Sequence, residues 1–362
     1  MTDGDVQDWV RSAPGGPYPF ETSPERLYGP ADLYRGFDPE RPGSLSRSFD
    51  ARIGWWLTEG EGTPRKLSTG ETIAARLHDT ALDGLVAALV RSRTPSVAMM
   101  GSHSIPRDHP AFLQFALIAR TLARRGYLVI SGGGPGMMEA ANFGAFLAPC
   151  ADGVLAEALD ILKAPSCLWD SEAWVVSAAR ARAFALARMP GAAPDADWTS
   201  PAPPQAWSLG VPTWYYGREP PNLFASHVGK YFFNSLREDG LVSVATAGII
   251  FGMGEAGTVQ EVFQNASLNY YPPAGKAATP MIFVGRDYWD PPAGARLGGA
   301  SVDRRAKPVM PLIRALAAEA ARPFASEVEV YDAVDEVVAA IVRATPAGEP
   351  SGRIAEAKLG AR

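Results

Sequence analysis

The sequence predicts an α/β fold: a doubly wound (Rossmann-like) parallel sheet with helices on both faces. Short apolar segments alternate with helical segments along the chain, and glycine-rich loops directly follow two of the apolar segments. Such alternation is typical of parallel sheets, whose strands are joined by crossover helices. A length of 362 residues suits one large decorated domain or two domains. We expect one, because strands of the same character continue into the C-terminal part.

Composition and charge exclude several classes of protein. Hydrophobic residues make up 47% and charged residues 20%, the usual range of globular chains. The net charge is −5, which argues against nucleic acid as the main partner because nucleic-acid-binding proteins concentrate basic residues. The acidic N-terminus does not resemble a signal peptide, and the longest uncharged run, 198–217, contains four prolines, which disfavours a membrane helix. We therefore expect a cytoplasmic protein without a membrane partner.

The 36 glycines and 32 prolines exceed the usual share and indicate many turns or irregular segments. Residues 1–67 are predicted to form an irregular N-terminal arm, and 346–362 a flexible tail. The domain is predicted over 68–345, with an insertion at about 150–210 that ends in a proline-rich segment, 190–221.

The first regular element predicted is a helix over 70–91. Ser68 and Glu71 have the S-x-x-E spacing of a capping box. Apolar residues then recur at four-residue steps and predict the buried face of an amphipathic helix: Ile73, Leu77, Ala81, Leu85 and Leu89.

The remaining elements follow from short apolar runs and helical periodicity. Strands are predicted at 97–100, 127–130, 211–215, 248–251, 281–284 and 328–331. Helices are predicted at 112–125, 137–147, 153–163, 171–188, 223–238, 257–268, 311–320 and 332–343.

A first glycine-rich loop, 131–139, lies between a predicted strand and a predicted helix. Glycines let a ligand approach the backbone, and a helix N-terminus attracts phosphate. Candidate binding residues in this loop are Gly132, Gly133, Gly134, Gly136 and Met137. The dinucleotide fingerprint G-x-G-x-x-G fails at Met137, and the loop could instead be a turn that permits close packing.

A second loop, 252–261, also joins a strand to a helix. Its G-x-x-x-x-G-T pattern lacks the lysine of a Walker A motif, which excludes a nucleoside triphosphatase of that kind. The useful part is G-T-x-x-E, in which Gly257 and Thr258 would donate hydrogen bonds to an anion while Glu261 faces the same crevice. Gly254 and Ala256 complete this candidate anion site.

Together, the two loops resemble those of the LONELY GUY (LOG) family of nucleoside 5′-monophosphate phosphoribohydrolases, formerly called lysine decarboxylase-like. The family carries a G-G-G-x-x-G-type loop followed by P-G-G-x-G-T-x-x-E, which here correspond to 132–138 and 253–261. Gly101 and Ser102 resemble the small-residue loop after the family's first strand. The resemblance covers roughly 95–345 and implies a nucleotide crevice, no cofactor, and a homodimer.

The resemblance also implies an acid and an arginine ahead of the second loop. Glu219 is the match for substrate binding, and Arg237 is the match for the catalytic arginine, with Lys230 as the fallback. Glu261 would be the second catalytic residue. Without the resemblance, Glu219 and Arg237 would be interpreted as ordinary solvated charges.

Three residues depart from the family's pattern. Met253 replaces a proline, Glu255 replaces a glycine, and Glu238 stands where the family often has lysine. A lost cation and an added carboxylate should weaken phosphate binding if both side chains face the ligand. These departures predict a shifted substrate preference or lost activity.

Other titratable residues give weaker signals. The four histidines, His78, His103, His109 and His227, form no ligand pattern, so no metal site is predicted. His103, Asp108 and Glu139 are expected near the crevice. Cys150 is expected to be a buried small hydrophobe, and neither it nor Cys167 belongs to a C-x-x-C pair.

These patterns predict hydrolysis of the N-glycosidic bond of a nucleoside 5′-monophosphate, of purine or cytokinin type, to free base and ribose 5-phosphate. The alternative is a nucleotide-binding sensor or carrier without catalysis, favoured by the three departures. A decarboxylase is disfavoured because no lysine is placed to hold pyridoxal phosphate.

Overall fold

A computed structural model describes residues 18–59, 63–165, 171–215, 219–272, 275, 277–292 and 306–345. The strands of its main sheet are β3 Ser96–Met100, β4 Leu128–Ser131, β5 Ser208–Gly210, β6 His227–Val228, β7 Gly248–Phe251, β8 Met281–Val284 and β9 Val328–Tyr331. These seven strands are parallel and lie in the order β6-β5-β4-β3-β7-β8-β9, with helices on both faces, which confirms the predicted fold class.

The described helices are α1 Pro30–Leu33, α2 Phe49–Trp56, α3 Thr69–Ser92, α4 Pro110–Arg124, α5 Met137–Phe146, α6 Asp152–Leu162, α7 Ser171–Leu186, α8 Asn234–Ser243, α9 Ala256–Tyr270, α10 Arg286–Trp289, α11 Met310–Glu319 and α12 Val334–Ala344. A separate antiparallel pair consists of β1 Thr58–Glu59 and β2 Thr63–Pro64. No helix in the described ranges combines the length and apolar character needed to cross a membrane.

Alternation along the strands places a hydrophobic core on each face of the sheet. In β3, Val97 and Met99 enter one core while Ala98 and Met100 enter the other. Successive strand residues point to opposite faces, so an all-apolar strand covered on both sides is the expected pattern.

The order in which strands are added to the sheet changes direction at the boundary between the neighbouring strands β3 and β7. Strands β4, β5 and β6 extend to one side of β3, and β7, β8 and β9 extend to the other. In open α/β sheets a crevice forms at such a switch point, outside the carboxyl ends of the strands. The loops after β3, β4 and β7 begin at this edge.

Helix α3 begins with the predicted capping box: the Ser68 hydroxyl accepts from Glu71 N at 3.3 Å and Glu71 accepts from Ser68 N at 2.8 Å. The predicted buried face was wrong in the first half of the helix, because Ile73 and Leu77 are 55% and 56% exposed, whereas Leu89 is buried as predicted. Residues four apart are offset by about 40° around a helix, so a long stripe with this step leaves the core-facing side. The face that packs inward instead carries Ala75, His78, Leu82, Val86 and Leu89.

The segment around β5 and β6 differs from the prediction. A strand was expected at 211–215, but the observed strand, β5, lies before this segment and ends at Gly210. Residues 223–233 were expected to form a helix and contain β6 instead. Asn222 accounts for part of this, since its side-chain oxygen accepts from the backbone N–H groups of Phe224 and Ala225 at 3.1 Å each. Such local bonds compete with helix formation. The helix begins at Asn234 and continues to Ser243.

The described part of the predicted irregular arm packs into the core and contains α2, which the sequence analysis did not predict. Leu33, Tyr34 and Ile53 are each 1% exposed or less. The connection from β4 to β5 carries α5 and then α6 and α7, the region interpreted as an insertion. Residues 346–362 lie outside the described residues.

Candidate functional site

A cavity of about 650 Å³ opens at the switch point of the sheet. Its lining comes from the loops after β3, β4, β5 and β7 and from the starts of α8 and α9. The lining residues are Gly101, Ser102, His103, Gly132, Gly134, Met138, Pro212, Thr213, Glu219, Arg237, Glu238, Glu255, Ala256, Gly257, Thr258, Gln260 and Glu261.

Four predicted site residues do not line this cavity but pack directly behind it. These are Gly133, Gly136, Met137 and Gly254. A Cβ at Gly136 would lie 2.4 Å from the carbonyl oxygen of Ser102, and one at Gly254 would lie 2.3 Å from Thr258 Cβ. These two glycines permit close backbone packing around the cavity, the alternative considered for the first loop. Met137 donates from its N–H to Ser102 O at 2.9 Å.

Arg237 and Glu261 face each other across the cavity although they belong to different helices. Arg237 Nη1 lies 3.8 Å from Glu261 Oε1, and both side chains are about nine-tenths buried. Arg237 Nε donates to Val211 O at 2.9 Å, which fixes the guanidinium at the end of β5. No hydrogen bond reaches the Glu261 carboxyl from the described part of the chain, so both its oxygens remain available to a ligand.

The pKa of Glu261 is raised to about 7, mainly by burial, with Arg237 opposing the shift and nearby Glu238 contributing to it. Loss of water around a carboxyl group disfavours its charged form. Carboxyl groups with a pKa near neutrality are common at catalytic sites, where the proton must be exchanged at working pH.

Glu219 reaches the cavity from the segment before Asn222, which folds over the first glycine loop. Asn222 donates from its backbone N–H to Gly133 O at 2.8 Å and from its side chain to Gly134 O at 3.1 Å. Glu219 Oε1 is buried and has no hydrogen-bond partner among the described residues. A buried, unpaired carboxylate oxygen is costly, so this atom is a candidate acceptor for a ligand hydroxyl or amine.

Lys230, the fallback for Arg237, does not line the cavity. Its Nζ lies 2.6 Å from Asp50 Oδ1 and donates to Glu219 O at 3.2 Å. Lys230 therefore holds the backbone of Glu219 from behind, while Arg237 is the cation that faces the cavity.

The start of α9 forms one end of the cavity. The first N–H groups of a helix have no partner within it and carry a positive partial charge. A Cβ at Gly257 would meet no atom within 4 Å, so the backbone there is open to a ligand. Thr258 adds a hydroxyl beside it.

Glu238 and Glu255, two departures from the family's pattern, both line the cavity. Glu238 accepts hydrogen bonds from the side-chain amides of Asn234, at 2.6 Å, and Gln260. Glu255 accepts from the Ser104 hydroxyl at 3.1 Å. Met253, the third departure, uses its backbone carbonyl to accept from Ser102 N at 2.8 Å.

Two acids expected near the crevice do not line the cavity. Asp108 is exposed outside it, and Glu139 is fully buried behind it in an ion pair with Arg107. His103 does line the cavity. Cys150 is buried, as predicted, whereas Cys167 lies outside the described residues.

Pro212, Thr213 and Gln260 line the cavity although they were not predicted as binding residues, and Met138 does so as part of the predicted loop 132–138. Pro212 and Thr213 were assigned to a strand, and the early end of β5 moves them into the loop beyond its carboxyl end. A proline at the second position of the proposed strand was the available signal, since proline cannot donate to a central ladder.

Gly132 packs closely against two side chains that line the cavity. A Cβ there would lie 2.4 Å from Met138 Sδ and 2.5 Å from Arg237 Nη2. We expect Gly132→Ala to lower the free energy of unfolding by roughly 1–3 kcal/mol, the usual cost of overpacking. In Gly257→Ala the new Cβ would lie in open space, so this variant should change the free energy of unfolding by about 1 kcal/mol or less. Urea unfolding of both variants measures the difference, and equal effects would contradict the close packing at Gly132.

No protein-family model and no curated protein matches this chain at a significant level.

Proposed function

We propose that the protein hydrolyses the N-glycosidic bond of a nucleoside 5′-monophosphate, of purine or cytokinin type, to free base and ribose 5-phosphate. One observation carries the proposal: the Glu261 carboxyl and the Arg237 guanidinium lie 3.8 Å apart in the same cavity as the N-terminus of α9. These groups suit the three parts of such a substrate, namely the sugar, the base and the phosphate.

Cleavage of an N-glycosidic bond develops positive charge on the sugar. The bond between C1′ and the base breaks with its electron pair leaving on the base, and water adds its oxygen to C1′. The proton that this water loses is taken up by the departing base, directly or by way of a side chain. Glu261 is placed to support that charge as a carboxylate, or to act as nucleophile or base. Arg237 would orient the substrate or donate a hydrogen bond to the departing base.

Phosphate binding would use the first turn of α9. Backbone N–H groups at Ala256 and Gly257 and the hydroxyl of Thr258 are donors of the right kind. The loop from Gly132 to Gly134 would bring a second stretch of backbone close to the ligand. Glu219, with its unpaired oxygen, is a candidate partner for a ribose hydroxyl or an amine on the base.

The direct test is release of free base. The wild-type protein would be incubated separately with AMP, GMP, CMP and cytokinin riboside monophosphates, and the base measured by chromatography. We expect release from at least one of them and none from a heat-inactivated sample. No release from any of the four by folded protein would refute the hydrolase assignment.

A nucleotide-binding sensor or carrier is the second candidate function. The observation that favours it is that Glu238 and Glu255, both departures from the hydrolase pattern, face the cavity. Tight nucleotide binding without turnover in the same incubation would support this alternative. The cytoplasmic location, expected from the composition, and the homodimer implied by the LOG resemblance stay predictions.

A further inference from the structure

Glu255 stands at the phosphate end of the cavity, immediately before the first residue of α9. Its side chain accepts a hydrogen bond from Ser104 Oγ at 3.1 Å. The Ser104 hydroxyl also lies 2.8 Å from that of Ser102, and Ser104 N donates to Ser102 Oγ at 3.1 Å. These contacts with the loop after β3 hold the Glu255 carboxylate at a fixed place beside the helix N-terminus.

Glu255 does not serve α9 as a capping side chain. It is the N-cap residue, but its carboxylate makes no hydrogen bond to the N–H groups of the helix. Serine, threonine, aspartate and asparagine are the residues that usually fill this role. The first N–H groups of α9 thus remain uncapped by this side chain, which lines the same cavity as Ala256 and Gly257.

The charge around the cavity is unfavourable for a dianion. Its described lining carries four acidic side chains, Glu219, Glu238, Glu255 and Glu261, and the guanidinium of Arg237. Of the four, Glu255 belongs to the turn that starts α9, where a phosphate would bind. Like charges brought together in a site shielded from water repel strongly, and this is a common device of specificity.

We propose that Glu255 is a specificity-determining residue that lowers the affinity of the cavity for a dianionic 5′-phosphate while leaving the affinity for an uncharged 5′-hydroxyl unchanged. The inference rests on the proposed function for the identity of the ligand, a nucleoside or its 5′-monophosphate. A phosphate gains the N–H groups at the start of α9 but meets the charge of Glu255, whereas an uncharged 5′-hydroxyl meets no such repulsion. The wild-type protein therefore prefers the 5′-monophosphate over the nucleoside less than it would without Glu255.

The test compares AMP with adenosine, which differ at the 5′ position. Titration calorimetry at pH 8, low salt and without divalent cations would measure both ligands on the wild type, on Glu255→Gln and on Glu255→Gly. The exposed Glu319→Gln on α11 is the matched control for loss of one negative charge away from the cavity. We expect both Glu255 variants to bind AMP roughly 10- to 100-fold more tightly and adenosine within about twofold of wild type.

The gain for AMP should shrink as salt is added, because mobile ions screen the repulsion. An unchanged or weakened AMP affinity in both Glu255 variants would overturn the inference, as would an equal change for AMP and adenosine. Binding of neither ligand to any of the four proteins would also overturn it.

Base release from AMP, measured on the same samples, separates the two proposals. Tighter AMP binding by the Glu255 variants without base release from any protein supports the role of Glu255 and refutes the hydrolase. Base release by the wild type with AMP affinity unaffected by Glu255 supports the hydrolase and refutes the role of Glu255.

Discussion

Replacement of Glu261 by glutamine is expected to lower the rate of base release by roughly 100- to 1,000-fold, the usual cost of removing one positioned electrostatic group. Glutamine keeps the shape of the side chain but cannot carry the negative charge that would support the developing sugar cation. Initial rates with the best of the four nucleotides would measure the loss. Circular dichroism would verify that the variant remains folded.

The matched control is Gln260→Ala, which removes the cavity side chain next to Glu261 in the sequence without removing a charge. We expect its effect on the rate to be smaller than that of Glu261→Gln. An unchanged rate in Glu261→Gln would exclude Glu261 from the catalytic machinery.

The same carboxyl predicts the dependence of the rate on pH. Because the pKa of Glu261 is about 7 and its working form is the carboxylate, kcat/KM should rise as the pH increases through 7 and level off above it. A profile that falls through pH 7 would mean that the protonated form is active, and Glu261 would then act as a general acid.

Replacement of Arg107 by methionine is expected to lower the free energy of unfolding by about 3–5 kcal/mol, because it leaves Glu139 as an unpaired buried charge. The two side chains are 1% and 0% exposed, and Arg107 binds Glu139 through Nε at 2.8 Å and Nη2 at 2.6 Å. Arg107 Nη1 also donates to Leu162 O at 2.9 Å and to Ser177 Oγ at 2.8 Å. This one guanidinium thus connects α5, α6 and α7 behind the first glycine loop.

Urea unfolding of the variant measures the loss, and two further variants test its cause. Adding Glu139→Gln to Arg107→Met should recover part of the stability, since the uncompensated charge is then gone. Arg314→Met breaks an exposed ion pair, with Asp290 at 2.8 Å, and should cost about 1 kcal/mol or less. Equal losses from Arg107→Met and Arg314→Met would contradict the importance of burial.

Two helices show where sequence patterns were sufficient and where they failed. The limits of α3 followed from local signals, because the capping box and helical periodicity lie within the helix itself. Its buried face did not, because His78 and Asp79 are drawn inward by distant partners. Asp79 accepts the backbone N–H groups of Phe232 and Phe233 at 3.0 Å and 2.9 Å, more than 150 residues away.

In the candidate site, too, local patterns predicted some features and contacts between distant residues set others. Glu139 and Glu261 both lie near the start of a helix that follows a glycine-rich loop, and nothing local distinguishes their environments. The structure buries Glu139 against Arg107, outside the cavity, and leaves Glu261 facing Arg237 inside it. The LOG resemblance pointed to Arg237 and Glu261 as site residues, whereas nothing in the sequence predicted the pairing of Arg107 with Glu139.

The parallel α/β fold and the glycine loops at strand ends could be predicted from local patterns, because strand, turn and helix-start signals each span a few residues. The folded chain was needed to show which acids face the cavity, which of Arg237 and Lys230 lies in it, and where Glu255 points. Those outcomes depend on contacts between residues far apart in the chain, and burial then sets the charge and the hydrogen-bonding capacity of each group.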